Sequence, residues 1–310
     1  VSGASTRTAA FALLFGLFAG PARASVGDDS ESTAPQATPT PAPTPAPLAG
    51  GGASAQELAN QVNNPAAPVT YLQFRNIVTP WIGGTSGAAD TLQMQPVIPI
   101  GPFEWLRAVQ LVKITMPILV SVPGSPRQTG TGDMTLFDLL SFPESWGRWG
   151  IGPVFVFPTA SQPALGAGKY QVGPAAGAFY TGIPNLTAGA ILQFPISFAG
   201  SSDRPPVAQL LVSPTLTYNL PDGWFGGLTD FNWTVNLRTG DTTLPLGLQA
   251  GKVVRIGRLP VSVSAEAGRA VVRPPGAPNP GWIVGVTFTP IFNFHIGPGE
   301  KIRYRAPAKP

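Results

Sequence analysis

The sequence has no cysteine. Disulfides, thiolate metal sites and cysteine nucleophiles are therefore excluded, although the absence fixes no compartment. There is one histidine, His295, which a Ser-His-acid triad or most zinc sites would need. Nothing around it supports either, so the chain reads as a non-enzyme with no catalytic residue, metal or cofactor. Charge is scarce, at 11% of residues against roughly 25% in a typical soluble domain. The net charge of +4 is too small to argue for nucleic acid as a partner. The Gly-rich pieces GGTSG (83–87) and LGAGKY (165–170) lack the spacing of a phosphate-binding loop. Beyond the N-terminus no apolar run approaches the 18 or so residues of a membrane-spanning helix. Low charge without long apolar runs implies a surface that need not all face water, built from alternating segments.

The first 24 residues have the form of an export signal. Arg7 supplies a short positive region, TAAFALLFGLFAG (8–20) is an apolar core, and Ala22-Arg23-Ala24 fits the small-x-small rule for cleavage before Ser25. Residues 25–53 are rich in Ser, Thr, Ala, Pro and Gly, including TPTPAPTPAPLAGGG. They form a disordered, extended linker, because such composition buries no core. Next, Ser54 and Glu57 make a capping box, Leu58 and Val62 share a face, and Pro65 stops the segment, which predicts a short helix over 54–64. The plain expectation for it is a spacer. The sharper alternative is a small periplasmic or pore-plugging element.

From residue 69 onward there are about twelve strand-like segments. They cover approximately 69–81, 91–100, 106–121, 134–142, 149–159, 170–181, 186–198, 207–220, 225–237, 244–256, 259–272 and 282–294. Soluble strands cluster near five or six residues, whereas membrane strands need about 9 to 11. Most of these are of the longer kind. In 282–294, Trp282, Val284, Val286 and Phe288 oppose Gly285, Thr287 and Thr289. In 208–220, Leu210, Val212, Leu216, Tyr218 and Leu220 oppose Gln209, Ser213, Thr215, Thr217 and Asn219. The polar parity is neutral Gln, Ser, Thr, Asn and Gly, where a soluble sandwich would usually carry Lys and Glu. A neutral polar inside with an apolar outside is the signature of an all-β, antiparallel transmembrane barrel. Only a helix or a closed barrel satisfies every backbone group in lipid.

The connections alternate short and long, as expected of periplasmic turns and outer loops. Trp81, Trp105, Trp146, Trp149, Trp224 and Trp282 fall near segment ends, which suits interfacial girdles. Against the pattern stand Pro96, Pro99, Pro117, Pro153, Pro174, Pro195, Pro214, Pro245, Pro260 and Pro290, all inside predicted strands. Each lacks a ladder donor and should mark a bulge or a broken pair. Asp138 weakens 134–142, because it falls on the apolar parity.

Several stretches resemble a bacterial outer-membrane family often labelled neuromedin U or "transporter", related to the meta-pathway phenol-degradation barrel proteins. They are LQMQPVIPI (92–100), GPVFVFPTA (152–160), LGAGKYQVGPAAGA (165–178), FAGSSDRPPVAQLLVSPTLTYNLPDGW (198–224), LPLGLQAGKVVRIGRLPVSVSAEAGRAVVRP (244–274) and LANQVNNP (58–65). The resemblance covers roughly residues 55 to 294. It implies a Gram-negative outer-membrane barrel with a transport role, no catalytic residues, and partners in outer-membrane lipid and the barrel-assembly machinery. Such chains end at or near an aromatic that the machinery reads. Phe292 and Phe294 would supply it, but the basic tail 295–310 follows as a departure from the pattern.

Within a barrel over 69–294, the candidate lumen-lining groups are Arg75, Arg107, Lys113, Asn219, Asp230, Asn232, Asn236, Glu266 and Arg269. In a pore such groups tune solute and ion preference. The alternative role is pairing across a packed interior, since twelve strands leave little spare width. Three functions follow from the sequence. The first is passive passage of an unidentified small molecule through a polar lumen. The second is a non-conducting structural or surface-interaction barrel. The third is a secreted soluble β-sandwich that binds a ligand.

Overall fold

Strict alternation dictates a sheet with two unlike faces, and strands this long can close on themselves. The computed structural model describes residues 54–82, 87–103, 105–123, 126–276, 281–292 and 296. The signal-like segment 1–24, the linker 25–53, Phe294, His295 and the tail beyond Ile296 lie outside the described residues. No helix among those described is long and apolar enough to cross a membrane.

Twelve strands form the wall. They are β1 (Thr70–Thr79), β2 (Ala89–Phe103), β3 (Ala108–Val122), β4 (Gln128–Gly130 and Met134–Glu144) and β5 (Gly147–Phe157). They continue as β6 (Lys169–Tyr180), β7 (Leu186–Gln193 and Ile196–Gly200), β8 (Gln209–Asn219) and β9 (Trp224–Leu228 and Trp233–Asn236). The last are β10 (Thr242–Ile256), β11 (Leu259–Val272) and β12 (Ile283–Phe292). Each pairs antiparallel with the next, and β1 pairs with β12 from Thr70↔Phe292 to Val78↔Val284. The sheet is therefore a closed up-and-down barrel, which removes exposed strand edges. A two-sheet sandwich is excluded, because every strand belongs to this one closed sheet.

The prolines act locally, as their missing donor requires. Pro117 and Pro245 sit at register shifts. Pro195 splits β7 between Gln193 and Ile196. Elsewhere one ladder skips while the other runs through. Pro96 pairs with Leu72, yet β2–β3 jumps from Met94↔Met116 to Val97↔Lys113. Pro290 pairs with Val261, yet β1–β12 jumps from Tyr71↔Ile291 to Phe74↔Phe288. Pro153 and Pro174 pair with each other, and each strand skips on its far side. Pro99 and Pro260 keep register near strand ends. Pro214 pairs with Ala190 in an unbroken β7–β8 ladder, but the β8–β9 ladder is interrupted from Val212↔Trp233 to Thr217↔Gly227.

The faces follow the parity. Leu216, Tyr218, Leu248, Val263, Val286 and Phe288 are exposed on the outside, while Thr217, Asn219, Ser262, Glu266, Thr287 and Thr289 are buried inside. Leu210 and Val212 share the outward parity but are buried, with Val235 and Trp233 opposite them on that face. Asp138 does lie on the outer face, where Gln110 Nε2 donates to both carboxylate oxygens at 3.0 and 2.9 Å. Both ends of the barrel carry the predicted asymmetry. The turns at 104–107, 145–146, 181–185, 220–223 and 257–258 are short, and at the other end the connections at 80–88, 158–168, 201–208 and 273–282 are longer, with five-residue connections at 123–127 and 237–241. Trp105, Trp146, Trp149 and Trp224 stand at the short-turn end, and Trp81 and Trp282 at the long-loop end.

Candidate functional site: the barrel lumen

The lumen is built in two levels. At the short-turn end it is filled by the chain's own residues 54–69. Helix α1 (Ala55–Val62) starts at Ser54, whose hydroxyl accepts from the Glu57 N–H at 3.1 Å. Leu58 and Ala59 then pack with Phe225, Val253 and Ile291, which stand on β9, β10 and β12. Beyond the helix, Ala66 packs with Leu111, Leu139 and Phe179, on β3, β4 and β6. A segment that touches strands all round a closed ring lies inside it. Two polar contacts fix it there. Asn63 Nδ2 donates to Asn219 Oδ1 at 2.7 Å, and the Ser141 hydroxyl donates to the Ala66 carbonyl at 3.0 Å. Fully burying a side chain such as Leu58 is worth about 1.5–3 kcal/mol. The segment is therefore a seated plug, and the expectation of a mere spacer is corrected.

Midway up sits a charged constellation. Arg75 on β1 and Glu266 on β11 are separated by β12, through the pairings Arg75↔Thr287 and Glu266↔Gly285. They meet across it in a bidentate pair, Nε to Oε1 and Nη2 to Oε2, both 2.7 Å. Gly285 allows this, because a Cβ there would stand 2.5 Å from Glu266 Oε1. Fork-to-carboxylate geometry of this kind is among the stronger polar contacts available. The third member, Asp230, comes from the interruption of β9 opposite Pro214. Arg75 Nη1 reaches Asp230 Oδ1 at 2.8 Å. Its neighbour Phe231 places its ring 5.4 Å from the Arg75 guanidinium. Gly268 leaves room for that ring, since a Cβ there would stand 2.9 Å from Phe231 Cε2. Lys113 on β3 is within electrostatic reach of both Asp230 and Arg75. Two cations and two anions thus balance in one layer of the interior.

The structure brings together Arg75, Lys113, Asp230 and Glu266, and it gives Asn219 the role of plug anchor. The other candidates are placed differently. Arg107 is exposed in the turn between β2 and β3 with φ 52, so it lines no lumen. Arg269 lies on the outward parity of β11, opposite Leu246, with its guanidinium 5.8 Å from the Trp282 ring at the long-loop end. Asn236 accepts the Arg238 and Thr239 N–H groups at 2.9 and 3.3 Å and so holds the 237–241 turn. Asn232 is bonded to the Ser213 hydroxyl beside the break in β9. Phe292 ends β12, and Phe294 lies outside the described residues. The plug contacts and the roles of Gly285, Gly268 and Phe231 carry no signal in the alternation. The break that delivers Asp230 does carry one, in Pro214.

Closed ladder, apolar exterior and polar, charge-balanced interior define an antiparallel twelve-strand barrel of the membrane type. No family model matches the chain, and no curated protein matches it. Among solved structures it is similar to the COG4313 outer membrane channel from Pseudomonas putida F1, with a TM-score of 0.51 and 12% identity. The likeness covers 72% of this chain and 94% of that one. At that identity it shows the fold alone, a closed antiparallel barrel.

Proposed function

We propose that this chain is a pore of the Gram-negative outer membrane that passes small molecules by diffusion and performs no chemistry on them. One observation carries the reading: the faces are reversed relative to a soluble protein. Leu248 is 68% exposed at the middle of β10, while Glu266, paired one register step away at Gln249, is 8% exposed. Export through a signal cleaved before Ser25, insertion by the barrel-assembly machinery and contact with outer-membrane lipid complete the proposal. It fits both the neuromedin U-labelled resemblance and the channel named for the structural neighbour.

A second reading, a non-conducting structural barrel, is favoured by the two apolar clusters that fill the short-turn end. Flux separates the two. Purified protein inserted in liposomes, with heat-modifiable gel mobility as proof of folding, should admit small neutral solutes in a swelling assay. Correctly folded protein that gives neither swelling nor bilayer conductance leaves the structural reading standing and removes the first.

A further inference from the structure

Arg75 has more acid than it needs. Glu266 alone engages two of its nitrogens in a buried bidentate pair. Asp230 takes the third nitrogen, although Asp230 belongs to the irregular stretch 229–232 and is not held by a ladder. Its side chain is 52% exposed, and that exposure is to the barrel interior, between Arg75 and Lys113. Lys113 is left over. Among the described residues its ammonium has no hydrogen bond and no ion pair, though it points inward from β3. Next to Asp230, the Thr229 hydroxyl is buried with no hydrogen-bond partner. Phe231 supplies an apolar surface against the guanidinium. Two cations, one of them unpartnered, and an aromatic ring thus stand around a carboxylate that arrives on a segment outside the ladder.

We propose that this layer is a binding site for a solute carboxylate with a short apolar tail, and that Asp230 is its tethered resident. A solute carboxylate takes Arg75 Nη1, its tail lies along Phe231, and Asp230 swings to Lys113. The site rests on the lumen being a solute path. Glu266 stays in place throughout, because its bidentate pair over Gly285 is the fixed part of the layer. A tethered competitor weakens apparent affinity by the fraction of time the site is free. If Asp230 holds Arg75 roughly nine-tenths of the time, removing its charge should tighten solute binding about tenfold.

The test is calorimetric titration of the full folded chain in detergent with butyrate, butylammonium and butyramide. Asp230→Asn should bind butyrate about tenfold more tightly than the parent. Lys113→Gln in the parent should weaken butyrate binding, because Asp230 loses the cation it moves to, whereas in the Asp230→Asn background it should change the affinity little; butyramide should bind neither protein. Asp230→Ser repeats the experiment if Asp230→Asn fails the gel-mobility check for folding. Unchanged butyrate affinity in both Asp230 variants overturns the proposal. So does butylammonium binding that Asp230→Asn abolishes, which would make Asp230 a cation site. Liposome flux is read separately. Charge-dependent titration without flux retires the pore and keeps the site, whereas flux with no butyrate binding does the opposite.

Discussion

The Arg75–Glu266 pair makes an asymmetric prediction. Its side chains are 10% and 4% exposed, so removing either one leaves the other in the interior without its bidentate partner. Removing one partner of a buried pair generally costs about 3–5 kcal/mol, because the survivor loses its compensation. The survivors differ here. Glu266→Gln leaves Arg75 with Asp230 at 2.8 Å, so its charge stays neutralised. Arg75→Met leaves Glu266 buried with no cation in contact, and Asp230 beside it. The cost should therefore fall below that range for Glu266→Gln, at about 1–3 kcal/mol for a charge-assisted bond weakened, and lie within it for Arg75→Met. Arg75→Met/Glu266→Met should recover part of the loss, since an apolar pair strands no charge. The assay is reversible urea unfolding of the barrel in phospholipid vesicles, followed by tryptophan emission and gel mobility. Equal costs for the two single variants, or strictly additive costs in the double variant, would refute the coupling.

Three further outcomes are expected. Leu248→Arg should destabilise the vesicle-inserted barrel by about 2–4 kcal/mol, the cost of Arg on a lipid face near the midplane; a change near zero, as at an exposed site in water, would count against membrane insertion. Gly285→Ala should weaken folding by about 1–3 kcal/mol through overpacking against Glu266, and the penalty should vanish in a Glu266→Ala background in the same urea titration; a penalty that persists there would mean the Cβ meets something else. Leu58→Asp places a carboxylate in the apolar cluster of Phe225, Val253 and Ile291 and should unseat the plug; single-channel conductance in a planar bilayer should rise, and an unchanged value would show that the plug does not limit passage.

Period-two alternation reveals which face a residue joins, and that much was legible in the sequence. The twelve strands stand where the pattern placed them, except that the ninth breaks over 229–232, and Thr217, Asn219, Thr287 and Thr289 turn inward as their parity demands. Arg269 keeps step with Val263, Ala265 and Ala267, so the same parity puts it outside, and the expectation that it lines the lumen is corrected. Arg107 and Asn236 failed for a different reason. They lie at chain reversals, where alternation stops and backbone geometry takes over.

What parity does not encode is partnership across the ring. Arg75 and Glu266 are 191 residues apart, and they meet only because β1 closes on β12 in one register, with Gly285 between them. A one-residue slip of β12 would turn Gly285 outward and put Val284 or Val286 in its place, filling the space the ion pair needs. The same applies to Asp230. Pro214 withholds a donor, the β8–β9 ladder fails opposite it, and the freed stretch of β9 delivers an acid and an aromatic ring to the middle of the lumen. Prolines that count against strands in a soluble sheet thus have a specific use in a barrel this narrow. They let the wall add an acid and an aromatic ring to an interior that regular alternation already lines with Arg75, Lys113 and Glu266.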